Sequence, residues 1–187
     1  MPYIKNYNTL ATNENRKVVL DLIEAAFSAI QPQAVLKNDF LRSNNTLTIQ
    51  GKTFDLSAFE RVFLIGFGKG SALICKILEE KLGDVLTDGF VIDVVEQSFS
   101  KIKSTFGTHP LPTQANFDFT ENIINKFSNL SEKDLVIVTT CGGGSVLFEK
   151  PNKFDLNKMI EVNKTLLKSG ATISEINSIR KHLFQEF

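Results

Sequence analysis

The chain has 187 residues, 42% of them hydrophobic and 16 of them Phe, and its 21 basic and 21 acidic side chains leave a formal charge of zero. That balance offers no electrostatic footprint for nucleic acid or an anionic membrane surface, and no apolar run approaches the ~20 residues of a membrane span. The polar N-terminal segment carries no secretory signal, and Cys75 and Cys141, without metal-ligand spacing, read as reduced thiols of an intracellular, cytoplasmic protein.

The length fits one domain, with room for a small appendage. An opening helix is predicted after Thr12 or Asn13, with Val19, Leu22, Ile23, Ala26, Phe27 and Ile30 on one inward face and Pro32 as its stop. Leu47–Ile49 and Thr53–Phe54, flanking Gln50-Gly51-Lys52, predict a small hairpin. Neither segment carries chemistry.

Val62–Ile65 is the first predicted core strand, and it runs into Gly66-Phe67-Gly68-Lys69-Gly70-Ser71. A helix follows with Ala72, Cys75, Leu78 and Leu82 on one face and Gly83 at its end. Strand, glycine loop and helix form the geometry of a phosphate site. Two standard motifs do not fit: a dinucleotide fingerprint requires Gly in place of Ser71, and a P-loop requires Gly at Phe63 and a hydroxyl residue in place of Gly70. Lys69 is either a ligand-site ammonium or a solvated loop lysine. Phe90–Ile92 is a second strand and Ile102–Phe106 a weaker third. In Thr108-His109-Pro110-Leu111-Pro112-Thr113 the prolines predict a stiff, extended arm carrying His109, which either contacts a ligand or serves as a structural hydrogen-bond partner. A helix beginning at Thr113 or Asn116 turns Ile123, Ile124 and Phe127 inward.

Leu135–Val138 is a short, β-branched apolar run, predicted to be a buried strand of a parallel sheet. Gly142, Gly143 and Gly144 follow in a row, then Ser145. Such a triplet serves either a tight turn or a backbone lying against a ligand. Leu156–Lys168 is amphipathic, with Leu156, Met159, Ile160, Asn163, Leu166 and Leu167 inward. A last helix capped by Ser174 places Asn177, Arg180 and Lys181 on one face, suited to an anion or to solvent, with His182 beside them. Its apolar side carries Ile176, Ile179 and Leu183, and Phe184 and Phe187 add exposed aromatics.

Four blocks together carry a resemblance: Val62–Ser71, His109-Pro110-Leu111-Pro112, Asp134–Leu147 and Lys168–Leu183. In order and spacing they resemble the N-terminal, DUF4147 part of the glycerate 2-kinase family, whose members add a C-terminal MOFRL domain. The resemblance implies an α/β, Rossmann-like three-layer domain with a mostly parallel sheet flanked by helices. It implies phosphorylation of D-glycerate to 2-phosphoglycerate, using ATP and Mg²⁺, with Lys69 as the catalytic residue. Gly66, Gly68, Ser71, His109, Gly142, Gly143, Gly144, Ser145, Asn177 and Arg180 are the candidate substrate- or phosphate-binding positions, with no protein metal ligand among them. Departures from the family pattern are Cys141 for serine, Gly70 for alanine, Thr113 for an acidic residue and Phe184 for serine. The family's next block, Lys-Gly-Gly, is absent, as is the MOFRL domain. The chain therefore looks like a fragment, weakly active alone, whose missing part a separate chain could carry. The alternatives are a non-catalytic α/β module that binds an anion or nucleotide, and a nicotinamide-dependent oxidoreductase with Asp93 as its acidic residue.

Overall fold

The structure is a computed structural model and describes residues 2–151 and 154–183. The chain divides into two compact units, Met1–Leu56 and Ser57–Phe187.

The first unit contains helices α1 (Tyr7–Leu10), α2 (Glu14–Ala29) and α3 (Pro32–Asp39), then strands β1 (Phe40–Ser43), β2 (Thr46–Ile49) and β3 (Lys52–Asp55). The side chain of Asn13 caps α2 by accepting the Arg16 amide at 3.0 Å. Pro32 follows the end of α2 as anticipated, but it also opens α3 at its first position, where a missing N–H costs nothing. The three strands form an antiparallel sheet in the order β1-β2-β3. Gln50 (φ 47°) and Gly51 (φ 79°) make the tight turn of the predicted hairpin, and β1 was not legible in the sequence. The stripe expected to face inward on α2 is instead open: Leu22 is 66% and Ile30 67% exposed, and Leu20 is the buried residue of that helix. Among the described residues, no single helix is long and apolar enough to cross a membrane.

The second unit is the predicted α/β domain. Strands β4 (Arg61–Phe67), β5 (Asp88–Asp93), β6 (Ile102–Phe106) and β7 (Asp134–Thr140) form a parallel sheet in the order β6-β5-β4-β7. Helix α4 (Ser71–Leu82) covers one face, burying Ala72, Cys75, Leu78 and Leu82 as anticipated. Helices α5 (Gln114–Lys126) and α6 (Gly144–Leu147) cover the other, where Ile65, Phe90 and Ile92 pack with Phe119, Ile123 and Leu147. Alternation along the strands separates the two faces: Gly66 faces Cys75 of α4, with Val91 beside it, and their neighbours point to α5. Each side chain fully buried this way contributes roughly 1.5–3 kcal/mol. Thr113 and Asn116 open α5 with a capping box.

Several expectations change in this unit. β7 is an edge strand among the described residues, so its apolar run is only partly covered, and Val138 is 53% exposed. Ile124 lies on the outer side of α5 at 40% exposure. In α7 (Leu156–Lys168) Met159, Asn163 and Leu166 are buried and Leu167 points outward. Helix α8 (Ile173–Leu183) is opened by Thr172, whose hydroxyl and amide both donate to Glu175 at 2.8 Å, rather than by Ser174. On α8, Ile179 is 45% exposed while Ile176 and Leu183 are half-buried. Phe184 and Phe187 lie outside the described residues.

Candidate functional site

The two glycine turns leave the carboxyl ends of adjacent parallel strands, β4 and β7, on the edge where open α/β sheets receive ligands. They are tied directly to each other. The Lys69 amide donates to the Gly142 carbonyl at 2.8 Å, and the Cys141 amide to the Phe67 carbonyl at 2.9 Å. This close approach is what the glycines permit. A Cβ on Gly68, which has φ +108°, would stand 2.4 Å from the Cys141 carbonyl oxygen, and one on Gly66 would stand 2.3 Å from Cys75 Sγ. A Cβ on Gly144 would press on the Phe67 ring at 2.9 Å, whereas Gly142 has open space around it.

The N–H groups of the first turn already have an anion, and it belongs to the chain. Gly70 N and Ala72 N each donate to Asp93 Oδ2 at 2.9 Å, and Val94 N donates to Oδ1 at 2.6 Å. Asp93, at the end of β5, is 1% exposed. A carboxylate at the N-terminus of α4 is favoured by the helix dipole and by the free amides there. Ser71 is fully buried, and its hydroxyl donates to the Ile92 carbonyl at 3.0 Å. Gly66, Gly68 and Ser71 thus form the framework under the turn, and Lys69, exposed, is the side chain that leaves it.

Lys69 and His109 converge on the second turn. A Cβ built on Gly143 would lie 2.8 Å from His109 Cδ2, 3.0 Å from His109 Nε2 and 3.2 Å from Lys69 Cε. Gly143 has φ +81°, so both the backbone and the space require glycine. His109 does not sit on an extended arm. The segment bends, with a cis peptide between His109 and Pro110. Asn116 organises the bend: Oδ1 accepts from Thr108 N at 3.1 Å and Thr113 N at 3.2 Å, while Nδ2 donates to the Thr108 carbonyl at 3.1 Å and the Val146 carbonyl at 3.0 Å. The wholly buried Asn116 therefore fastens the His109 segment to α6. Burial, and then the charges of Lys69 and Arg180, hold the His109 pKa below its ordinary 6.5, which keeps the imidazole neutral at pH 7.

The Asn177, Arg180 and Lys181 cluster divides. Asn177 and Lys181 stay exposed with His182, and Arg180 turns inward at 7% exposure. Its guanidinium donates to Ser145 Oγ at 3.2 Å, to the Ser145 carbonyl at 2.6 Å and to the carboxylate of Glu149. Glu149 was not singled out in the sequence; an acidic residue directly after the apolar run Val146–Phe148 is the one signal it leaves. The thiols are unsuited to nucleophilic roles, because burial pushes Cys75 up to about 11 and also raises Cys141. The site thus brings together Lys69, His109, Gly143 and, through Ser145, Arg180, giving two cations beside a neutral imidazole.

Comparison with known proteins gives the family and the fold. The family described as "Domain of unknown function (DUF4147)" matches residues 18–185. A glycerate 2-kinase of Picrophilus torridus is 31% identical over 184 residues, spanning 96% of this chain and 42% of that protein. A crystal structure of a Pyrococcus horikoshii protein superposes with a TM-score of 0.79 at 28% identity, over 92% of this chain and 39% of that one. The crystal structure of a Thermotoga maritima glycerate kinase gives 0.71 at 27% identity, over 90% and 38%. The chain spans about two fifths of the length of these relatives, which carry 42%, 39% and 38% coverage. With a match over nearly its whole length and an α/β fold shared with a solved glycerate kinase, the chain belongs to the DUF4147 family.

Proposed function

We propose that this chain carries part of a glycerate 2-kinase site, in which ATP phosphorylates D-glycerate to 2-phosphoglycerate. The observation that carries the reading is the meeting of Lys69 and His109 over Gly143 at the carboxyl edge of the sheet. Phosphoryl transfer asks the protein chiefly for positioning and charge neutralisation. In this reading the Lys69 ammonium binds an anionic oxygen of glycerate or of the transferred phosphate. The neutral imidazole of His109 accepts a hydrogen bond from the attacking hydroxyl, and Gly143 lets the ligand approach the backbone. Among the described residues no group of three His, Cys, Asp or Glu side chains is placed to hold a metal. The Mg²⁺ of this reading would be carried chiefly on the nucleotide phosphates, and none of the roles above depends on a protein-held ion.

The nicotinamide reading loses its support in this geometry. Its acidic residue, Asp93, is buried and taken up by three amides, so it is not available to a ribose. The test is calorimetry with ATP, D-glycerate and NAD. Lys69→Ala is expected to weaken ATP or glycerate binding about tenfold, roughly 1.4 kcal/mol, with the melting temperature unchanged within about a degree, as befits an exposed side chain. A fall of several degrees with binding untouched would make Lys69 a structural lysine. Binding without ADP release would favour the non-catalytic module.

A further inference from the structure

The ion pair between Glu149 and Arg180 is almost wholly buried, at 3% and 7% exposure. Removing two charges from water is costly, and a buried pair of this kind is weak evidence for stability by itself. Its placement is informative. Arg180 comes from α8, and its guanidinium grips both ends of α6: Ser145 at the start, through Oγ at 3.2 Å and the carbonyl at 2.6 Å, and Glu149 just beyond the end. Ser145 directly follows the glycine triplet, and Gly143 of that triplet is the residue on which His109 and Lys69 converge. From Glu149 the contacts therefore run through Arg180 and Ser145 to the candidate site.

The pair also carries charge to the site. The groups that face His109 electrostatically are Lys69 and Arg180, both positive. Those facing Glu149 are Arg180 from α8 and the Asn163 amide from α7. Neither Glu149 Oε1 nor Asn163 Nδ2, both buried, completes a hydrogen bond among the described residues. With only Arg180 and the Asn163 amide beside it to favour its charge, and its second oxygen short of a full hydrogen bond, the carboxylate is poorly solvated. Burial outruns the pull of Arg180 and raises Glu149 from 4.5 to about 7.

We propose that Glu149 is a positioning residue of the site: it holds the Arg180 guanidinium on Ser145, and its charge decides whether Arg180 is cancelled or adds to Lys69 in attracting an anion. The second half rests on reading the Lys69–His109 site as an anion site. The test uses the full chain and Glu149→Gln, which keeps the shape and removes the charge. The chain has two histidines, and His182, exposed on α8 with Nδ1 2.7 Å from the Ser178 carbonyl, is the internal control. In an NMR titration, the His109 resonances of the natural chain are expected to show a further inflection near pH 7, above their own midpoint, as Glu149 loses its proton beside Arg180, and E149Q should lack it. Sulfate, whose charge is constant across this range, is the binding probe. Its affinity should rise about threefold or more as pH falls from 8 to 6.5 in the natural chain, and stay flat in E149Q.

If E149Q does not fold, the paired replacement Glu149→Met with Arg180→Met removes both charges together. The His109 midpoint should then rise toward 6.5, since a cation has been lost. The same His109 curve in the natural chain and the folded variant, with sulfate still bound, overturns the role of Glu149 and leaves the anion site standing. Absence of sulfate binding to the natural chain overturns the anion site and the charge-setting half of the proposal, while the His109 curve still decides whether Glu149 acts on Arg180.

Discussion

Asp93 shows how a single side chain redirects a motif. A glycine loop between a strand and a helix invites a phosphate onto free amides, but here a buried carboxylate from the neighbouring strand accepts from Gly70, Ala72 and Val94. The loop is thereby rigid before any ligand arrives, and Lys69 is left as its reaching group. Two titrating residues of the site pull stability in opposite directions with pH. The folded pKa of His109 is depressed, so the unfolded chain binds that proton more readily; the His109 contribution is complete above about 6.5 and declines as pH falls. The folded pKa of Glu149 is raised from 4.5 to about 7, so the folded chain binds its proton more readily; this contribution is complete below 4.5 and is lost as pH rises through 7. Urea unfolding of the natural chain and Glu149→Gln between pH 4.5 and 8 should therefore diverge. The natural chain is expected to lose about 3 kcal/mol relative to the variant across that range, and parallel curves would show that the Glu149 proton is not linked to folding.

At the level of elements, the site is a junction of turns rather than a property of one of them. β4 and β7 lie in parallel register, Phe67 opposite Thr140, so the turns that follow both strands emerge together and exchange amide–carbonyl bonds. This makes the glycines of the first turn unequal. Gly68→Ala combines φ +108° with a Cβ 2.4 Å from a backbone oxygen that cannot move away. Gly70→Ala meets nothing within 4 Å and bears only the strain of φ +98°. Denaturation midpoints should rank them accordingly: Gly70→Ala is expected to cost about 1–2 kcal/mol, and Gly68→Ala more, about 3 kcal/mol or above. Equal costs would mean that the two turns can separate without penalty.

On the scale of the whole molecule, the relatives are more than twice as long as the stretch they share with this chain. The second unit shows a seven-residue edge strand with Val138 53% exposed, and Leu167 and Ile173 at 57% and 72%. Unpaired strand edges and apolar surface of this kind favour pairing with another chain. Sedimentation is expected to show association that grows with protein concentration. Mixing the chain with the remaining portion of a relative should suppress it and raise ADP release from ATP and D-glycerate by at least about tenfold, because a kinase site needs its phosphates enclosed. Full turnover by the monomeric chain alone would place the whole machinery within these residues.

The sequence by itself determined the strands and the longer helices of the second unit, because period-2 and period-3.6 patterns report burial directly and the glycines mark where strands end. It also located Lys69, His109 and the glycine triplet, whose residue types announce their chemistry. Only the tertiary structure decided which groups are free. Asp93, Asn116 and Glu149 look like ordinary polar residues until the fold brings Gly70, Thr108 and Arg180 to them, across 23, 8 and 31 residues of chain. The apolar stripe of α2 and the run of β7 failed as burial signals for the same reason. A pattern tells which face of an element is apolar, but what covers that face is settled by the parts of the fold that lie next to it.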